Sequence, residues 1–330
     1  MPKQLFLHCG PPKTGTSAIQ AQLRDATPAG LVYPATGQWP DGAHHKLSFA
    51  LQGRTSYGTI DIPDWDALLP ALIDELDHAI AQTKDVVISS ELLTPELAQT
   101  FLARVLPALA TPFDKVTVIV VLRHPLERAA SSYNQQIKDQ QTDEARMPNV
   151  YLKEAGEQLC LMPLITAWQR MDLPVIFLNY HPSRDLVQRF LDLIGFGHAA
   201  PPQQTQRRNA SMNGFGLTAM LCARRLGLDI DQRNALFDTL RANKSLNIWN
   251  GPSFPFAEGP VRQFLNTKVA ADLQQVKQET GLDVPRITAE DKPRFRLGPE
   301  QVDAIRDLFS TLPLNPGQVS RLDNMLGRLE

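Results

Sequence analysis

Lys13 lies between Gly10 and Gly15 in the run Leu5-Phe-Leu-His-Cys-Gly-Pro-Pro-Lys-Thr-Gly-Thr-Ser17, an apolar stretch followed by a glycine-bracketed loop and the first residues of a predicted helix. Backbone N–H groups of such a loop converge on an anion, the helix behind it adds the positive end of its dipole, and the hydroxyls of Thr14, Thr16 and Ser17 add donors. The chemistry implied is the binding of a phosphorylated compound by Pro12, Lys13, Thr14, Gly15, Thr16 and Ser17.

The position of the lysine bears on which compound. Gly10 and Gly15 keep the G-x-x-x-x-G spacing of a nucleoside-triphosphatase loop, but Thr16-Ser17 follows where that loop has Lys-Ser/Thr. Such enzymes also hold magnesium, usually through an Asp at the end of a second apolar strand. Here Val116-Thr-Val-Ile-Val-Val-Leu122 ends in Arg123, and Asp85-Val-Val-Ile88 runs into Ser89-Ser90-Glu91. A guanidinium is a rigid fork of donors matched to phosphate oxygens, so Arg123 argues for a phosphate met by protein charge without a metal.

With the segment Arg123-His-Pro-Leu-Glu-Arg-Ala-Ala-Ser131, the pattern resembles the sulfotransferases that use 3′-phosphoadenosine 5′-phosphosulfate. The resemblance covers about residues 3 to 195 well and the remainder loosely. It implies that the loop from Lys13 to Ser17 holds the 5′-phosphosulfate and that Arg123 and Ser131 hold the 3′-phosphate. It also implies a metal-independent reaction that leaves 3′,5′-adenosine bisphosphate. Ser131 falls more than a helical turn beyond Leu126, so the chain must curve to bring its hydroxyl to that anion. Sulfuryl transfer needs a cation at the leaving oxygen and a base at the acceptor hydroxyl. Lys13 matches the family's lysine for the first task. For the second, Val87-Ile-Ser-Ser-Glu91-Leu-Leu resembles the strand end that carries the family's base, which makes Glu91 the leading candidate. His44 and His45 compete for that role, since an imidazole titrates near neutrality. Arg207 and Arg208 resemble a late basic segment that folds over the donor, and Tyr180 an aromatic that contacts adenine. Two other readings stay open: a P-loop nucleotide kinase or nucleoside triphosphatase, and a nucleotide-binding protein without turnover.

These residues need a frame. Strands are predicted near residues 5–9, 85–89, 116–122 and 173–180, alternating with helices near 17–23, 66–82, 96–109, 161–170 and 183–194. Alternation of this kind implies an α/β fold with a doubly wound parallel sheet, whose ligands lie beyond the carboxyl ends of the strands. Lys13, Glu91, Arg123 and Tyr180 each fall at or just after such an end. The proline- and glycine-rich stretch 28–42 reads as irregular, and the part from Pro201 onward as mostly helical with a loop-rich break at 247–259. A single domain is expected, with residues 1–200 binding the donor and 201–330 shaping the acceptor site.

Composition bounds the rest. Of 330 residues, 43% are apolar, enough for a sizeable core, and a formal net charge of −2 gives no support for nucleic-acid binding. Cys9, Cys160 and Cys222 are too few and too scattered for a disulfide scaffold. No apolar run approaches the roughly 20 residues of a membrane span. The first strand begins within a few residues of Met1, leaving no room for a signal peptide, so a cytoplasmic enzyme is expected. Its acceptor would be a carbohydrate, lipid or small metabolite. Trp39, Trp65, Trp168 and Trp249 are expected in the core, with an acceptor-stacking role as the alternative.

Overall fold

The computed structural model describes residues 3–181, 185–199, 211–250, 259–284 and 297–327. Within them the chain divides into two compact units, each built from three segments. One comprises Met1–Arg128, Cys160–Gln204 and Val269–Ile287, and the other Ala129–Leu159, Thr205–Lys268 and Thr288–Glu330.

The first unit holds the strands, numbered in chain order: β1 (Gln4–Cys9), β2 (Leu31–Val32), β3 (Ser56–Tyr57), β4 (Ile60–Asp61), β5 (Asp85–Ser89), β6 (Lys115–Leu122) and β7 (Val175–Asn179). Five form a parallel sheet in the order β2-β5-β1-β6-β7, and β3 and β4 pair as a separate antiparallel hairpin. The central strands are apolar on both faces because helices cover both. Leu5, Leu7 and Cys9 of β1 join Val86, Ile88, Val118 and Val120 in one core cluster. Phe6 points the other way, to Val87, Ile119, Ile19 and Phe190. From β1 the chain crosses to the edge strand β2, comes back to lay β5 between them, and then adds β6 and β7 on the other side of β1. The order therefore reverses beside β1, and the carboxyl end of this strand is where such sheets bind ligands.

Four helices of this unit are α1 (Thr16–Asp25), α2 (His45–Leu51), α3 (Trp65–Ala81) and α4 (Pro95–Val105), and the next, α5 (Pro125–Lys138), runs on into the second unit. The starts of α3 and α4 are capped by side chains, Asp64 accepting from Ala67 N–H at 2.8 Å and Thr94 from Leu97 N–H at 3.3 Å. The helix Gly259–Thr280 contributes its last turns: Val276 joins the core, and the buried Asp272 accepts from the N–H groups of Leu161 (2.7 Å) and Met162 (3.0 Å), capping the helix Met162–Gln169 from a distant part of the chain.

Among the described residues the regular elements of the second unit are helices. Its core gathers Tyr133 and Ile137 of α5, Met220 and Leu221 of the helix Gly214–Arg225, Leu236 of Ile230–Ala242, Ile305 of Pro299–Ser310 and Leu322 of Pro316–Leu326. Arg224 is buried there and donates to the carbonyls of Ile137 (3.1 Å) and Asp139 (2.7 Å), tying down the chain that leaves α5. A boundary at residue 200 does not describe this division, since residues 129–159 lie in the helical unit and 269–287 in the sheet unit. Two further elements escape the sequence pattern: β2 inside the stretch read as irregular, and the β3–β4 hairpin. No helix among the described residues is long and apolar enough to cross a membrane.

Candidate active site

The loop after β1 turns by way of three left-handed residues, Gly10 (φ 125°), Lys13 (φ 70°) and Gly15 (φ 89°). At Gly15 the need for glycine is also steric, because a Cβ would lie 2.7 Å from Leu186 Cδ2 and 2.9 Å from Tyr180 Cε2. Lys13 has no such dispensation; a lysine in this region costs roughly 1–2 kcal/mol. Gly15 stands at the N-cap of α1, where no side chain caps the helix and the first turn carries no acidic residue. The contrast with α3 and α4 leaves the positive end of α1 open to an anion at the carboxyl end of β1. Thr16 and Ser17 occupy its first turn, Thr16 buried and Ser17 half-buried, while Pro12 is exposed. Thr14 is buried and gives its hydroxyl proton to the Pro11 carbonyl at 3.0 Å, so it braces the turn instead of donating to a ligand.

Arg123 follows β6 and reaches across to this loop, its Nη1 donating to the Lys13 carbonyl at 2.9 Å. The guanidinium lies over the ring of Tyr180, 4.7 Å from its centroid, and its Nε is 3.7 Å from Glu127 one helical turn on. Tyr180 is fixed in turn by its N–H, which donates to the Leu122 carbonyl at 2.6 Å. Loop, arginine and tyrosine therefore form one assembly at the ends of β1, β6 and β7.

On the other side of β1, the chain leaving β5 places Glu91 beside His45, Oε1 to Nε2 at 3.6 Å, and Gln20 of α1 donates to Glu91 Oε2 at 2.8 Å. His45 Nδ1 lies 2.9 Å from the buried hydroxyl of Ser90, which lies 2.9 Å from that of Ser48. The two rivals for the base thus share one place. Gln20, Ser90 and Ser48, which orient the pair, carry no motif; only the position of Ser90 next to Glu91 could have marked it. His44 behaves differently. Its Nδ1 accepts from Ser89 N–H at 3.1 Å, which leaves the proton on Nε2 to be donated to the Pro34 carbonyl at 2.8 Å. Burial pushes its pKa down to about 4. With both ring nitrogens engaged by backbone, His44 has no nitrogen left for proton transfer and serves to hold the segment that carries His45.

Ser131 is half-buried on α5, in the part of that helix assigned to the second unit. The helix is continuous from Pro125 to Lys138, so the chain does not curve between Leu126 and Ser131 as the spacing suggested. Arg207 and Arg208 lie outside the described residues. Of the tryptophans, Trp65 and Trp168 are buried, and Trp39 is half-buried against Phe49 and Tyr57. Cys9 is buried beneath the loop, and burial pushes its thiol up, away from the reactive thiolate.

No family model matches the chain, and no curated protein does. Among solved structures, mouse sulfotransferase SULT7A1 complexed with PAP is similar at a TM-score of 0.32 and 13% identity, over 98% of this chain and 88% of that one. At that TM-score the likeness decides nothing about this chain, whose chemistry has to come from its own residues.

Proposed function

We propose that the protein is a sulfotransferase that moves a sulfuryl group from 3′-phosphoadenosine 5′-phosphosulfate to an acceptor hydroxyl. The observation that carries this reading is the placement of Glu91, Lys13, Arg123 and Tyr180 after four adjacent parallel strands, β5, β1, β6 and β7. The uncapped start of α1 and its loop suit the 5′-phosphosulfate, and Arg123, held on Tyr180, suits a second phosphate. In the reaction the acceptor oxygen attacks sulfur, and the bond from sulfur to the bridging phosphate oxygen breaks. That oxygen keeps the electron pair and leaves on 3′,5′-adenosine bisphosphate, its charge met by Lys13. The acceptor proton passes to Glu91, which Gln20 and His45 orient.

The rival, a nucleotide kinase, predicts ATP and magnesium dependence. Thermal unfolding with the bisphosphate, ADP or ATP, each with and without magnesium, separates the two. The bisphosphate at about 100 times its dissociation constant stabilises the fold by roughly 2.7 kcal/mol, without magnesium, and Arg123→Ala abolishes the shift. Stabilisation only by ATP with magnesium would overturn the proposal.

A further inference from the structure

We infer that an aromatic shelf beside the Glu91–His45 pair receives a saccharide ring, and that the acceptor hydroxyl belongs to that ring. The inference rests on the sulfotransferase reading and narrows its acceptor. Phe49 and Tyr57 stack with ring planes 15° apart and centroids at 5.2 Å. Trp39 stands edge-on to both, at 5.6 Å and 6.0 Å. The His45 ring is 6.4 Å from Trp39 and 6.3 Å from Phe49, so the aromatic cluster reaches the imidazole that lies beside Glu91. Tyr57 is 46% exposed.

Packing alone accounts for Phe49, which is buried and anchors the short β3–β4 hairpin to α2. It does not account for a tyrosine left 46% exposed on the aromatic cluster that reaches His45. The openness of the shelf selects the ligand. A flat apolar acceptor gains affinity by enclosure, typically with most of its surface buried, whereas residues 52–59, which carry Tyr57, are all exposed. Its rim is polar: Arg54, Ser56 and Asp61 are exposed, with the Arg54 guanidinium 5.4 Å from the Phe49 centroid. A sugar can lay one C–H face on such rings, keep its other hydroxyls in water or on the rim, and turn one hydroxyl toward Glu91.

Saturation-transfer NMR on the full chain, saturated with 3′,5′-adenosine bisphosphate, tests this. The probes are the methyl glycosides of glucose, N-acetylglucosamine and glucuronic acid, against 4-nitrophenol and 1-decanol. At least one glycoside is expected to receive saturation through its ring protons. Tyr57→Ala should weaken its binding about tenfold, equivalent to 1.4 kcal/mol, and Tyr57→Trp should restore it. Tyr57→Leu keeps the apolar contact with Phe49 but removes the π face, so it should weaken binding even if Tyr57→Ala fails to fold. The inference is overturned if the bisphosphate binds but no glycoside does, if glycoside binding ignores position 57, or if only 4-nitrophenol or decanol depends on Tyr57. Failure of the bisphosphate itself to bind would overturn the donor reading and this inference together.

Discussion

His44 and His45 are neighbours in the chain with opposite surroundings. His44 is sealed between two backbone groups and stays neutral in the fold, whereas His45 faces a carboxylate and a serine hydroxyl. Unfolding releases His44 to its ordinary value of 6.5 from about 4. Between those values the unfolded chain binds the extra proton, so the contribution is fully present above pH 6.5 and is lost as pH falls toward 4. Its size is on the order of 3 kcal/mol. His8, buried with its Nδ1 2.8 Å from Ser89 Oγ and pushed down to about 3, adds a slope of the same sign. Urea unfolding from pH 7 to 4 should show this loss, and His44→Gln should flatten the slope. Glu91→Gln should instead lower kcat by about 10²–10⁴, with bisphosphate affinity unchanged in calorimetry. The sequence could offer both histidines as bases but could not separate them, because what divides them is which backbone groups lie opposite, a product of pairing across the sheet.

The turn joining β1 to α1 was legible because its demands are local: two glycines for left-handed backbone, a cation between them, and hydroxyls at the helix start. Arg123 was legible for the same reason, as a charge at the end of an apolar run. β2 was not, since two residues pair with β5 only after tertiary contacts bring them there, and no periodicity fits in so short a span. The β3–β4 hairpin is equally short, so the aromatic surface it completes was invisible in the chain. Gly15→Ala tests how rigidly the turn is held. Its Cβ would strike Leu186 and Tyr180 besides adopting a strained φ, whereas at Gly58 (φ 58°) nothing lies within 4 Å. Gly15→Ala should therefore cost more stability than Gly58→Ala, whose penalty is the backbone's alone, about 1–2 kcal/mol. It should also weaken bisphosphate binding by displacing Tyr180 from Arg123, measurable by calorimetry on the two variants.

The folded chain is a parallel sheet with helices and a helical unit, and the alternation of strands and helices announced the first of these. The division between units did not show, because it follows packing and not chain order. Asp272, Val276 and Val284 return to the sheet unit long after the last strand. A fragment ending at residue 204 keeps every strand of the described residues but lacks that cap and those core side chains. It should unfold at lower temperature than the full chain and bind the dye ANS, and adding a peptide of residues 269–287 should reverse part of both effects. The same interleaving constrains inheritance. With each unit drawn from three separated stretches, no single crossover between related genes can exchange one unit whole and leave the other whole. New acceptor preferences on this scaffold would then arise by substitution in place, at positions such as Tyr57, more readily than by exchange of a whole unit.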